Sequence, residues 1–289
     1  MTPHRLPRLL AVLTLVAGLA ACGTTGGGAA ADLSLSEQPL VGKFVWHDLV
    51  TDDVAAARRF YGRLLGWEFE DTRHPGGGAY TLIKADGQYI GGMVRLADGE
   101  AADYSRWLPY LSVTDVDRAV DLTRSAGGSA LVGPLDLPNI GRAAAVKDPQ
   151  GAVLGFLRSR PGDPVDLAET HFGHVLWNEL VAADGAAAAD YYSQLAGYEV
   201  QTVQRRGGEY LYLRAQGRER AGVLQRPNDE VVPQWLTHFA VTDVATAARR
   251  SAELGGQVVL APSDDIRDGG FAIVSDPTGA LLALTEFAK

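Results

Sequence analysis

Residues 44 to 50 alternate, so that Phe44, Trp46, Asp48 and Val50 share one face of a strand and Val45, His47 and Leu49 share the other. The period then changes. After Asp52 and Asp53, either of which can cap a helix, Val54, Ala57, Phe60, Tyr61, Leu64 and Leu65 form an apolar stripe at helical spacing that stops at Gly66. Residues 67–71, 80–84 and 90–95 read as three short strands. The same order follows at once. A strand over 107–113 leads to the cap Asp115, then to Val116, Ala119, Val120 and Thr123 on the inner side of a helix, and Gly127-Gly128 stops it. Strands over 129–132, 141–147 and 152–158 close the unit, with Asp148-Pro149-Gln150-Gly151 as a tight turn between the last two.

The whole pattern then restarts. Residues 175–181 read as a strand, Asp184 as a cap and 186–195 as a helix, with strands over 210–214 and 221–225 and a new opening strand over 235–241. Trp46 and Trp177, Asp53 and Asp184, Tyr61 and Tyr192, and Gly66 and Gly197 are each 131 residues apart. Asp115 and Asp243, Gly127 and Gly255, Pro134 and Pro262, and Asp148 and Asp276 are each 128 apart. Offsets that hold across several landmarks mark a duplicated unit.

A chain of 289 residues with 46% hydrophobic residues has room for two domains with proper cores. The net charge of −9, without a basic run, argues against nucleic acid as a partner. The one cysteine, Cys22, excludes an internal disulfide framework. Its position adds more. Arg5 and Arg8 precede a short apolar run from 9 to 20, a length that suits a cleavable signal peptide rather than a permanent span. The run ends in Leu19-Ala20-Ala21-Cys22, which resembles a bacterial lipoprotein box and implies lipidation of Cys22 and export to a membrane-anchored position in the cell envelope. Attachment by several acyl chains is stable where a single chain is not. The expected divisions are a signal peptide (1–21), a flexible tether (22–41), a first module (42–158), a linker (159–171) and a second module (172–289).

The capped Phe-Tyr…Leu-Gly-Trp helix, the Val-Thr-Asp-Val strand ends at 113–116 and 241–244 and the Asp-Pro-x-Gly hairpins resemble the vicinal oxygen chelate superfamily. Glyoxalase I, extradiol dioxygenases and the bleomycin and fosfomycin resistance proteins belong to that group. The resemblance implies an α+β fold of four βαβββ units, paired into two modules, each a curved eight-stranded sheet with helices outside. Because both modules are on one chain, a monomer is the expected state. Metal-using members place His, Glu or Gln ligands on the first strand of each unit and near the end of the last. Here those positions hold Trp46, Leu108, Trp177, Leu236, Gly155 and Ala283, none of which ligates a divalent ion through its side chain. No cofactor is therefore expected, and a metal would need a site out of register.

Such a site has candidates. Asp48 and Glu179 lie two residues beyond the tryptophans on the same face, and His238 lies two beyond Leu236, with Tyr110 as its counterpart. Glu179 and His238 are placed to meet across the second module, as an acid/base pair, as half a metal site, or as a buried hydrogen-bonded pair. Trp46 and Trp177 serve either as core filler or as a platform for an aromatic or cationic ligand, with Tyr80, Tyr210 and Tyr212 adding to the walls. His47 falls on the helix side as a packed histidine, while His171 and His174 show no evident partner. The favoured function is metal-free binding of a small molecule by Trp46, Asp48 and Tyr110 in one pocket and by Trp177, Glu179 and His238 in the other. The alternative is a glyoxalase-like lyase or ring-cleaving dioxygenase with Glu179 and His238 as catalytic residues.

Overall fold

A computed structural model describes residues 34–73, 78–96 and 105–287. The expected signal peptide and Cys22 lie outside the described residues. The first module runs β1 (Phe44–Thr51), α1 (Val54–Leu65), β2 (Glu68–Arg73), β3 (Ala79–Ala85), β4 (Gln88–Arg95), β5 (Arg106–Ser112), α2 (Val116–Ser125), β6 (Ser129–Leu137), β7 (Gly141–Lys147) and β8 (Val153–Ser159). The second runs β9 (Val175–Ala182), α3 (Gly185–Ala196), β10 (Glu199–Arg205), β11 (Gly208–Ala215), β12 (Arg218–Gln225), β13 (Gln234–Val241), α4 (Val244–Glu253), β14 (Gln257–Leu260), β15 (Phe271–Ser275) and β16 (Leu281–Glu286). The sheet orders are β2-β3-β4-β1-β5-β8-β7-β6 and β10-β11-β12-β9-β13-β16-β15-β14, the same topology twice. The expected caps Asp53, Asp115 and Asp184, and Asp243 at the place that repeats Asp115, each accept a hydrogen bond from the backbone N–H three residues on, and Gly66 and Gly197 end their helices at φ +70. α4, β14, β15 and β16 are implied by the repeat without ranges of their own in the hydrophobic pattern, and so is β10. The β10 sequence, Glu-Val-Gln-Thr-Val-Gln-Arg, is mostly exposed at a sheet edge, where little burial demands apolar residues.

The buried faces of the helices pack in the cores shared by the two modules. One core joins α2 and β5 to α3, β11 and Trp235; a second joins α1 and Trp67 to β13 and α4. Two matching clasps cross the boundary. The Tyr61 hydroxyl of α1 donates to Asp276 at 3.1 Å and accepts from the Trp107 indole at 3.0 Å. The Tyr192 hydroxyl of α3 donates to Asp148 at 2.9 Å and accepts from Trp235 at 2.8 Å. Asp148 and Asp276 each use their other oxygen to accept two backbone N–H groups of their own hairpin. Between the clasps, His47 meets Asn178, 131 residues on, at 2.9 Å with both residues buried.

The two segments at the edge of this core are also tied down. Ser36 and Leu40 donate backbone hydrogen bonds to Asp163 of the linker, so the expected flexible tether is held from about this point on. His174 bonds the Ala85 carbonyl and His171 approaches Asp86 at 3.4 Å, so both histidines have partners that the sequence did not reveal.

Candidate functional site

The parallel pairing of β1 with β4 and the antiparallel pairing with β5 bring Trp46, Asp48, Tyr80 and Tyr110 onto one concave face. In the second module Trp177, Glu179, Tyr210 and His238 occupy the matching places. Both modules build the same polar chain. Trp46 Nε1 donates to the Tyr80 hydroxyl at 3.0 Å, and that hydroxyl donates to Asp48 at 2.6 Å. Trp177 Nε1 donates to Tyr210 at 2.9 Å, and Tyr210 donates to Glu179 at 2.7 Å. Each tyrosine hydroxyl passes over a glycine. A Cβ on Gly92 would sit 1.7 Å from the Tyr80 oxygen, and one on Gly222 would sit 1.8 Å from that of Tyr210.

From there the modules diverge. The first is closed: Trp46 is 4% exposed, and Tyr80, Leu82, Leu108, Tyr110, Ile140 and Leu157 pack into one buried cluster above the sheet. Gly155, where the family resemblance placed a ligand, lies under the Tyr110 ring; a Cβ there would meet it at 2.1 Å. Of the two roles open to Trp46, core filler is the one its burial supports. In the second module Trp177 and Tyr212 are only half buried, with ring centres 6.0 Å apart. Arg205 lies over the Tyr210 ring at 3.8 Å and donates to the Tyr212 hydroxyl at 2.6 Å.

Glu179 and His238 do come together, but a third residue joins them. Arg267, from the loop before β15, donates to Glu179 Oε2 at 2.6 Å. His238 Nδ1 bonds the Thr285 hydroxyl at 3.0 Å, while its Nε2 stands 3.7 Å from Glu179 Oε1, beyond hydrogen-bond reach, and has no partner. Arg267 and Asp268 both have φ near +50°, a conformation that costs energy outside glycine and that here directs the guanidinium inward. Nothing in the hydrophobic pattern pointed to Arg267, which lies 88 residues from Glu179.

A divalent metal does not fit these residues. Among the described residues no three His, Cys, Asp or Glu side chains group to hold an ion. Glu179 already has a fixed cation in Arg267, and Asp48 is enclosed by indole and phenol groups.

Burial lowers His47 and His238 from 6.5 to about 4; for His238 the Glu179 charge opposes this and Arg267 reinforces it. Both imidazoles are therefore neutral at neutral pH. The folded chain binds these protons less readily than the unfolded chain, so the stability the histidines confer is complete above 6.5 and is lost as pH falls towards 4. Burial instead raises Asp48 to about 6, against hydrogen bonds from Tyr80, Trp46 and Tyr110 that lower it. That carboxyl works in the opposite sense below pH 6 and softens the loss. Each histidine shift corresponds to roughly 3 kcal/mol across its window. His47→Gln is expected to flatten the fall in unfolding free energy between neutral and acid pH, measured by urea denaturation. An unchanged slope would show that His47 is not the proton-sensitive group.

Residues 43–156 match the sequence family described as the Glyoxalase/Bleomycin resistance protein/Dioxygenase superfamily, and residues 177–285 match the Glyoxalase-like domain. CFP32 of Mycobacterium bovis, provisionally named a glyoxylase, is 31% identical over 244 residues, which is 83% of this chain and 93% of the relative. The anthracycline biosynthesis protein DauV of Streptomyces sp. (strain C5) is 30% identical over 257 residues, 84% of this chain and 93% of the relative. Among solved structures, the Mn(II)-bound glyoxalase of Novosphingobium aromaticivorans superposes with a TM-score of 0.55 at 18% identity, covering 85% of this chain and 82% of that one. A variant of homoprotocatechuate 2,3-dioxygenase from B. fuscum gives 0.55 at 13% identity, covering 89% and 75%. At these identities the structural likeness speaks for the fold alone.

Proposed function

Because the chain belongs to the glyoxalase/bleomycin resistance protein/dioxygenase superfamily, we propose that it is a small-molecule binder that holds a flat aromatic compound in the concave sheet of its second module without a metal. The observation that carries this reading is the contrast between matched positions. Trp46 and Leu82 are sealed in the first module, whereas Trp177 and Tyr212, in the corresponding places, stay half exposed in the second. Two aromatic faces over a polar floor suit a flat ring with hydroxyl or carbonyl edges. Arg205 and Arg267 stand beside those faces and make the site a poor one for a cationic ligand. The relative named for anthracycline biosynthesis adds support, since anthracyclines are fused aromatic rings.

The test is a titration with 1,4-dihydroxyanthraquinone followed by tryptophan emission. Saturable quenching is expected, weakened about tenfold by Trp177→Ala and unaffected by Tyr110→Phe in the closed module. Quenching that does not saturate, or that keeps its full affinity in Trp177→Ala, would contradict the reading.

A second reading rests on the unpartnered Nε2 of His238. A neutral imidazole facing a carboxylate is equipped to take a proton, so a lyase-type or ring-cleaving reaction would use His238 as base, oriented by Thr285 at Nδ1, with the Glu179 charge stabilising the imidazolium. Loss of turnover in Glu179→Gln, with ligand binding retained, would favour it over simple binding.

The site would work outside the cytoplasm, held to a membrane through lipid on Cys22. Cys22→Ser is expected to abolish incorporation of labelled palmitate and to release the protein from the membrane fraction. Unchanged labelling would remove the anchor from the account.

A further inference from the structure

A cavity opens between the modules, away from Glu179, Tyr210, Tyr212 and His238, although Trp46 and Trp177 reach its lining. It is a cleft of about 650 Å³ between the modules, at the beginning of β1 and β9, with the buried His47–Asn178 pair among its lining residues. That volume accommodates a small organic ligand. The two walls come from corresponding strands, yet their charge differs. Gln88 and Ile90 of β4 face the cleft on one side; 130 residues on, Arg218 and Arg220 of β12 face it on the other. The repeat therefore does not require cations here.

Lys43, Arg218 and Arg220 converge on a single carboxylate. Lys43 Nζ is 3.0 Å and Arg220 Nη1 2.7 Å from Asp166 Oδ1, and Arg218 Nε is 3.4 Å from Oδ2. The buried Asp163 also acts on Lys43, but one of its oxygens already receives Leu40 N–H and the Ser112 hydroxyl. Glu169 and Glu219 are exposed. The Arg220 side chain is only 6% exposed, and its Nε has no acceptor. The buried Nε of Arg214, on the same wall, has none either. Buried guanidinium N–H groups are costly to leave without acceptors, and planar oxyanions match their geometry.

We propose that this cleft binds a small organic oxyanion, a carboxylate or a phosphate, held by Lys43, Arg218 and the unpaired donors of Arg214 and Arg220. Its charged residues take no part in the aromatic site of the second module, although Trp177 lines both. Calorimetric titration of the full chain at low ionic strength, with inorganic pyrophosphate and with oxalate as probes, tests it. Saturable binding of either anion is expected, and the one preferred identifies the ligand chemistry. Binding should weaken roughly tenfold or more in Arg218→Gln and in Lys43→Gln, and stay unchanged in Tyr212→Leu, a residue outside the cleft lining. The Arg218 side chain is 64% exposed, so that variant keeps its fold and decides the matter should Lys43→Gln misfold. Saturable binding of neither anion, or undiminished binding in Arg218→Gln, would overturn the proposal.

Discussion

Arg267→Met is expected to lower the unfolding free energy by about 2 to 3 kcal/mol, and adding Glu179→Gln is expected to recover most of that loss. The reason is the position of the carboxylate. The Glu179 side chain is 3% exposed and has two donors, Tyr210 and Arg267, of which only the arginine brings charge. Removing it leaves an anion enclosed by Tyr210, Leu236 and the neutral His238. The loss stays below the full cost of breaking a buried pair because the Arg267 side chain is itself 29% exposed, and solvent screens part of the attraction. Glutamine fills the same space without the charge, so the double variant should be the more stable of the two. Urea denaturation of the wild type, both single variants and the double variant gives the coupling directly. Additive losses would mean that Arg267 does not neutralise Glu179.

Tyr192→Phe is expected to cost about 2 to 4 kcal/mol, the larger part of it from what the hydroxyl leaves behind. Two buried groups lose their partner at once: Trp235 loses its acceptor, and one oxygen of Asp148 loses its donor. Both lie in the core shared by the two modules. Tyr61→Phe should do the same to Trp107 and Asp276 at the other clasp. Loss of either is expected to lower the thermal midpoint by several degrees, with the two modules still unfolding together. A loss under about 0.5 kcal/mol, the range of ordinary surface changes, would show that the clasps do not hold the modules.

These clasps show how much the chain discloses by itself. Tyr61, Tyr192, Asp148 and Asp276 stand out as repeated landmarks, and they mark the fold correctly, because repetition is visible in a linear sequence. Their pairing across the boundary is not visible, since each bond joins residues from different modules, 215 apart for Tyr61 and Asp276 and 44 apart for Tyr192 and Asp148. The alternation of β1 and β9 sufficed to place Asp48, Glu179 and their tryptophans on the concave faces. It also placed His47 on the opposite side, where it bonds Asn178. Arg267 was illegible for a physical reason. It lies in an irregular loop whose backbone, not its hydrophobic period, directs the side chain. Asn139, 128 residues earlier, has the same left-handed φ, but the adjoining Ile140 fills the first cavity. The difference between a closed and an open module likewise depends on packing around Tyr110 and Trp177, which strand pattern alone does not encode.

The most direct measurement is the affinity of the second module for 1,4-dihydroxyanthraquinone, taken on chelator-treated protein and again after addition of Mn(II). Equal, saturable binding in both, weakened about tenfold in Trp177→Ala, is the predicted result. Binding that appears only with the metal would contradict a site built from indole, phenol and a carboxylate–guanidinium pair.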